Sequence, residues 1–139
     1  EIGQRAFAYS PVESIAFAPE RTQTLTLASY AFAYMTSMQS VAIPSYLTEL
    51  PQYLFRGCTR LADVSLAEGV ESLGSYVFRD CSALTAVVLP KSLTDIAGTA
   101  FNSSGIRAYY FAGTEEEAEG ISYPTAVRNA LYCYSEEEL

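Results

Sequence analysis

A phenylalanine recurs at positions 7, 32, 55, 78 and 101, each preceded five positions earlier by Ile or Leu, and after a slightly longer first interval the spacing is constant. The five segments are Ile2 to Phe7, Leu27 to Phe32, Leu50 to Phe55, Leu73 to Phe78 and Ile96 to Phe101. Between them runs a second pattern, apolar-x-x-apolar-x-apolar, at Met38, Val41 and Ile43, at Leu61, Val64 and Leu66, and at Leu84, Val87 and Leu89. One-residue-shorter versions stand at Val12, Ile15 and Phe17 and at Ile106, Tyr109 and Phe111. A fixed period of this length is the mark of a repeat architecture, because a unit so short cannot bury its apolar face alone and must stack on its neighbours.

The end of each second pattern alternates at period 2 and is rich in β-branched and aromatic residues, so it reads as a short strand. The expected strand cores are Ile15–Phe17, Val41–Ile43, Val64–Leu66, Val87–Leu89 and Tyr109–Phe111, lying side by side in a parallel sheet of about five strands. The return segments, such as Ser92 to Ile96, are too short for helices of their own and are expected as extended or 3₁₀ pieces on an outer wall. Phe55 and Phe78 should be fully buried in a column of stacked rings.

The run from Cys81 to Phe101, Cys-x-x-Leu-x-x-Val-x-Leu-Pro-x-Ser-Leu-x-x-Ile-x-x-x-Ala-Phe, resembles the BspA-like, treponemal-type leucine-rich repeat. Tyr109-Tyr110-Phe111-Ala-Gly-Thr-Glu-Glu-Glu resembles the terminating segment of such proteins, with Ala118 in place of the family's Trp, and Tyr132-Cys-Tyr134-Ser-Glu resembles the short last strand that follows. The resemblance implies a right-handed leucine-rich-repeat solenoid, mainly β. Residues 1–111 would form about five repeats, the first incomplete, and residues 112–139 a C-terminal cap of a short helix and a last strand. It further implies a non-catalytic module of a secreted or surface-attached bacterial protein that binds a protein or glycan partner, possible adhesion included, or else a passive spacer within a larger surface protein.

Composition narrows the chemistry. The chain has no His, which removes the usual near-neutral general base, the imidazole metal ligands and any imidazole-dependent triad. No enzyme activity, cofactor or metal is expected. The net charge of −8 speaks against nucleic acid, whose phosphates call for clustered Lys and Arg. Residues 115–139 hold seven acids and one base, so much of the acidity is C-terminal, including Glu136 to Glu138, read as a solvated tail. No stretch approaches the ~20 apolar residues of a membrane span, and no signal peptide is visible at Glu1. Because Ile2 already stands inside the recurring pattern, the chain is expected to continue a longer protein, or to self-associate through an apolar N-terminal repeat.

If the inner strand residues face the core, the outward, concave positions read Ser14, Ala16 and Ala18, then Ser40, Ala42 and Pro44, then Asp63, Ser65 and Ala67, then Ala86, Val88 and Pro90, and finally Ala108, Tyr110 and Ala112. On this bland surface Asp63, Arg107 and Tyr110 are the candidate partner-binding residues, with Tyr110 as an interface aromatic. The commoner role of such a ring is to shield the sheet end. Tyr30, Tyr53 and Tyr76 fall at equivalent places and should form a stacked column, more in keeping with repeat packing than with a carbohydrate platform. Cys58 and Cys81 are one period apart, yet their side chains should point the same way, which disfavours a disulfide. Thr114 and Glu117 fit a capping box, and Asn102-Ser103-Ser104 matches the glycosylation triplet by accident.

Overall fold

The computed structural model describes residues 1–20 and 24–134, so the Glu136 to Glu138 tail lies outside the described residues. The elements in chain order are β1 (Ser14–Ile15), β2 (Ser40–Ile43), β3 (Glu49–Leu50), β4 (Asp63–Leu66), β5 (Ser72–Leu73), β6 (Ala86–Leu89), β7 (Asp95–Ile96), β8 (Ala108–Phe111), α1 (Glu115–Glu119), α2 (Thr125–Arg128) and β9 (Leu131–Cys133). The chain is a β-solenoid of stacked turns with parallel sheets and little helix.

One wall carries the longer strands. β1, β2 and β4 pair in parallel, as do β6, β8 and β9, in a register that sets Ile15, Val41 and Val64 side by side, and likewise Val87, Tyr109 and Leu131. The expected cores Val41–Ile43, Val64–Leu66, Val87–Leu89 and Tyr109–Phe111 all fall in these strands. The first strand is shorter than expected: Ala16 and Phe17 leave the ladder, and the Phe17 ring sets its edge against Phe32, centroids 6.2 Å apart at 83°.

A second wall arises from the return segments, which are extended and pair in parallel as β3, β5 and β7, with an isolated bridge from Ile2 to Leu27 continuing the row. Leu50, Leu73 and Ile96 point inward from it and are buried.

The third wall is built from turns, and backbone geometry explains the repeating Phe. In each of the first four units the residue two before the Phe has positive φ: Arg5 at 59°, Tyr30 at 62°, Tyr53 at 60° and Tyr76 at 58°. The residue two after it does the same at Tyr9, Tyr34, Gly57, Asp80 and Ser103. The two kinks aim alternate amides at the next turn. Phe32 donates to Leu54 O (3.1 Å), Phe55 to Val77 O (2.9 Å), Phe78 to Ala100 O (2.8 Å), and Gly57 to Arg79 O (2.8 Å). At one left-handed position a side chain is excluded, since a Cβ on Gly57 would meet the Tyr34 ring at 2.4 Å.

Inside the three walls the phenylalanines stack as one column, with centroids 5.7 Å apart for Phe32 and Phe55, 5.5 Å for Phe55 and Phe78, and 5.4 Å for Phe78 and Phe101. Phe55 and Phe78 have no exposed surface. The segment after β8 packs against the far end of the core, with β9 paired to β8. Thr114 Oγ1 accepts from Glu117 N at 3.1 Å, which is half of the expected capping box. The reciprocal half differs, because the Glu117 carboxylate turns instead to Lys91 Nζ, 3.0 Å away. Ala118 is buried, and Tyr123 reaches back to donate its hydroxyl to Leu93 O at 2.7 Å. Arg128, in a second short helix that the sequence reading did not anticipate, donates to the carbonyls of Ala118 and Ile121.

Candidate binding face

Strand alternation decides which residues the long-strand wall presents. In β6 and β8, Val87, Leu89, Tyr109 and Phe111 turn inward and are buried, leaving Ala86, Val88, Ala108 and Tyr110 outside. The register then does what the sequence alone did not announce. Val88 lies beside Tyr110 and Tyr110 beside Tyr132, so three large apolar residues form one row across β6, β8 and β9. They are 43%, 40% and 59% exposed, and the two tyrosine rings lie 5.7 Å apart, tilted by 31°. The signal for Tyr132 was available, since it follows Tyr110 by the same interval that separates Tyr110 from Val88.

Beside this row lies a depression of about 590 Å³, lined among others by Ile15, Val41, Asp63, Val64, Val88 and Tyr110. It covers the place where the ladder is interrupted between β4 and β6. Val64, which should be as buried as Val41 and Val87, is half-buried there. Nothing in the repeats marks this opening, because positions 41, 64 and 87 are evenly spaced.

Of the three residues expected at a site, Asp63 and Tyr110 line this one depression. Arg107 is exposed but stands at the entrance to β8, outside the lining, with its backbone N–H bonded to Thr85 O at 2.9 Å. Chemically, the face offers apolar and aromatic contact with a single carboxylate at its rim. Among the described residues no three of His, Cys, Asp and Glu converge as a metal site would require, and no helix is long and apolar enough to cross a membrane.

Elsewhere the thiols of Cys58 and Cys81 are free, buried and hydrogen-bonded to backbone carbonyls. The tyrosine column stands as expected, with Tyr30 and Tyr53 centroids 4.6 Å apart and Tyr53 and Tyr76 5.1 Å apart. The sequence reading missed the arginines that accompany it. Arg5 lies over Tyr30, Arg56 between Tyr34 and Tyr53, and Arg79 over Tyr76.

Stacked turns of this length, with leucines and a phenylalanine column inside and a parallel sheet on one wall, define a leucine-rich-repeat protein. More narrowly, residues 1–122 match the family described as BspA type leucine rich repeat region, in six copies, and the chain belongs to that family. The fold is similar to that of a leucine rich cell surface protein from Faecalibacterium prausnitzii, with a TM-score of 0.62 and 27% identity over 68% of this chain and 25% of the other. It is also similar to a leucine rich repeat protein of T. pallidum, with a TM-score of 0.55 and 22% identity over 70% of this chain and 58% of that one. The chain thus spans about a quarter and somewhat over half of these two proteins' lengths. No curated protein matches it.

Proposed function

We propose that this chain is a non-catalytic recognition module of a cell-surface or secreted protein, and that it takes a protein partner on the outward face of its long-strand wall. The observation that carries the reading is the row Val88, Tyr110 and Tyr132. Exposed rings in register next to a depression supply the buried aromatic anchors from which protein interfaces draw most of their energy. Asp63 at the rim would set orientation and charge preference more than affinity. The F. prausnitzii neighbour, a cell surface protein, supports the placement outside the cell. A passive spacer would need no such row.

The test is retention of the protein on immobilised extracellular-matrix proteins and on microbial cell surfaces. Saturable retention by the wild type, lost in Tyr110→Ala/Tyr132→Ala with an unchanged unfolding midpoint, is the expected result. Absence of saturable retention, or its survival in the double variant, would leave the module a passive spacer.

A further inference from the structure

The third wall carries a feature that the long-strand face does not need. Tyr30, Tyr53 and Tyr76 stack with interplanar angles of 5° and 14°, and Tyr9 stacks on Tyr34 at 5.0 Å. Guanidinium groups are laid over these rings: Arg5 is 5.0 Å from the Tyr30 centroid, Arg56 is 5.9 Å from Tyr34 and 5.5 Å from Tyr53, and Arg79 is 5.1 Å from Tyr76. Three of the chain's seven arginines therefore stand on one wall of a protein whose net charge is −8.

Their charge is matched on the protein only in part: Asp80 lies beside Arg79 and also acts on Arg56, whose guanidinium is held against Tyr30 and Tyr34. Among the described residues Arg79 pairs with Asp80 at 3.8 Å, while neither Arg5 nor Arg56 meets a carboxylate. The Nε atoms of Arg56 and Arg79 are buried without a hydrogen-bond partner. Arg56 and Arg79 occupy equivalent places in adjacent turns, roughly 5 Å apart along the axis. Two cations so placed repel, and an oxyanion lying between the two guanidinium groups would relieve the repulsion through charge-assisted, forked bonds.

We propose that this tyrosine and arginine wall is a binding site for an anionic polysaccharide. Its carboxylate or sulfate groups are held by Arg56 and Arg79, with Arg5 extending the track, and its sugar hydroxyls meet the edge of the tyrosine column. A linear polymer suits the wall, because both present their groups at a regular rise. Single-stranded nucleic acid suits it less: bases bind by stacking on open ring faces, and here the faces of Tyr30, Tyr53 and Tyr76 cover one another or lie under guanidiniums. Acids more than about 8 Å from the arginines are largely screened at physiological salt, and the carboxylate that competes with a ligand here is Asp80, beside Arg79. The site is separate from the long-strand face and does not depend on the reading given for it.

The test is titration of the protein with heparin as a sulfated polymer, polygalacturonate as a carboxylated one, dextran as a neutral one, and oligothymidine of matched charge. We expect binding to at least one of the two anionic polysaccharides, weakening as salt rises, no binding to dextran, and much weaker binding to oligothymidine. Arg56→Gln/Arg79→Gln should lower that affinity at least tenfold, whereas Tyr110→Ala should not change it. Failure of both anionic polysaccharides, undiminished binding by the arginine variant, or equal affinity for oligothymidine would overturn the proposal. Should the variant fold poorly, hydrogen exchange on the wild type with bound polymer decides. Protection at residues 53–57 and 76–80 supports the site, and protection confined to other segments overturns it.

Discussion

The Cys81 thiol donates to the carbonyl oxygen of Phe55, 3.2 Å away, and Cys58 makes the same bond one turn earlier, to Phe32 at 3.2 Å. Each cysteine thus satisfies a carbonyl of the preceding turn's phenylalanine at a place where no water reaches, and the thiol is held as a donor.

Both groups therefore resist ionisation. Burial pushes the Cys58 thiol up to about 12 and the Cys81 thiol higher still. Since the thiolate is the reactive form, native protein at pH 8 should be alkylated by iodoacetamide first and slowly at Cys133, which is half-buried and whose thiol is also pushed up by burial and by Glu115, while Cys58 and Cys81 react only through unfolded or opened states. Mass spectrometry of the labelled protein checks this. A native state that binds these protons more tightly than the unfolded chain loses stability as pH rises. The unfolding free energy should accordingly fall above the ordinary thiol range, beginning near pH 9, by up to about 1.4 kcal/mol per pH unit for each thiol.

Phe78 is wholly buried between Phe55 and Phe101, whereas Phe101 at the end of the column is half-buried and meets Tyr109 edge-on at 5.2 Å. Phe78→Ala should cost about 3–5 kcal/mol in urea unfolding, in the range of aromatic truncations in cores. Phe101→Ala should cost distinctly less, and equal losses would mean that the column is not continuous.

The cap is fastened by one buried and one exposed polar contact of very different worth. Tyr123→Phe removes the hydroxyl that satisfies Leu93 O and should lower stability by about 0.5–1.5 kcal/mol. Lys91→Ala breaks the pair with Glu117, whose side chains are 54% and 45% exposed, and should cost no more than about 1 kcal/mol, with any effect shrinking in high salt. Equilibrium unfolding at two salt concentrations separates the two.

At the opposite end, Phe7 and Val12 are 47% and 44% exposed around an apolar hollow of about 280 Å³ that also involves Ile2, Ile15, Phe17 and Met35. Exposed apolar patches mark association sites, and this one is covered either by a preceding part of a longer protein or, in these 139 residues alone, by a second copy. Sedimentation should show weight-average mass rising with concentration, and Val12→Asp should suppress the rise without unfolding the protein. A wild type that stays monomeric at high concentration would contradict this.

The period of the phenylalanines placed the strands of the long wall and the tyrosine column, because a stacked repeat converts sequence spacing directly into neighbourhood. What it left illegible depends on events between turns. Phe17 leaves its strand for a contact with Phe32 made across units, and Glu117 prefers Lys91 to its own helix end because the C-terminal segment folds back against the return segment after β6. The opening beside Val64 has no counterpart in the repeat pattern at all. In the candidate site Tyr110 and Asp63 were readable from alternation, but Tyr132 needed the observation that the last strand keeps the interval running from Val88 to Tyr110. The arginines over the tyrosines follow from the left-handed turns at both sides of each phenylalanine, a backbone property that side-chain periodicity does not reveal.

Every surface described above rests on the turns being stacked in this register, with amides of the third wall donating forward to the next turn. Native-state hydrogen exchange at Phe55, Gly57 and Phe78, whose N–H groups bond to Val77 O, Arg79 O and Ala100 O, measures this most directly. These three amides should exchange only through global unfolding, with free energies equal to that from denaturant titration. Exchange of the three amides at unprotected rates, while the amides of Val41 to Ile43 and Val87 to Leu89 remain protected, would mean that the third wall is not hydrogen-bonded turn to turn and would contradict the stacked-turn account.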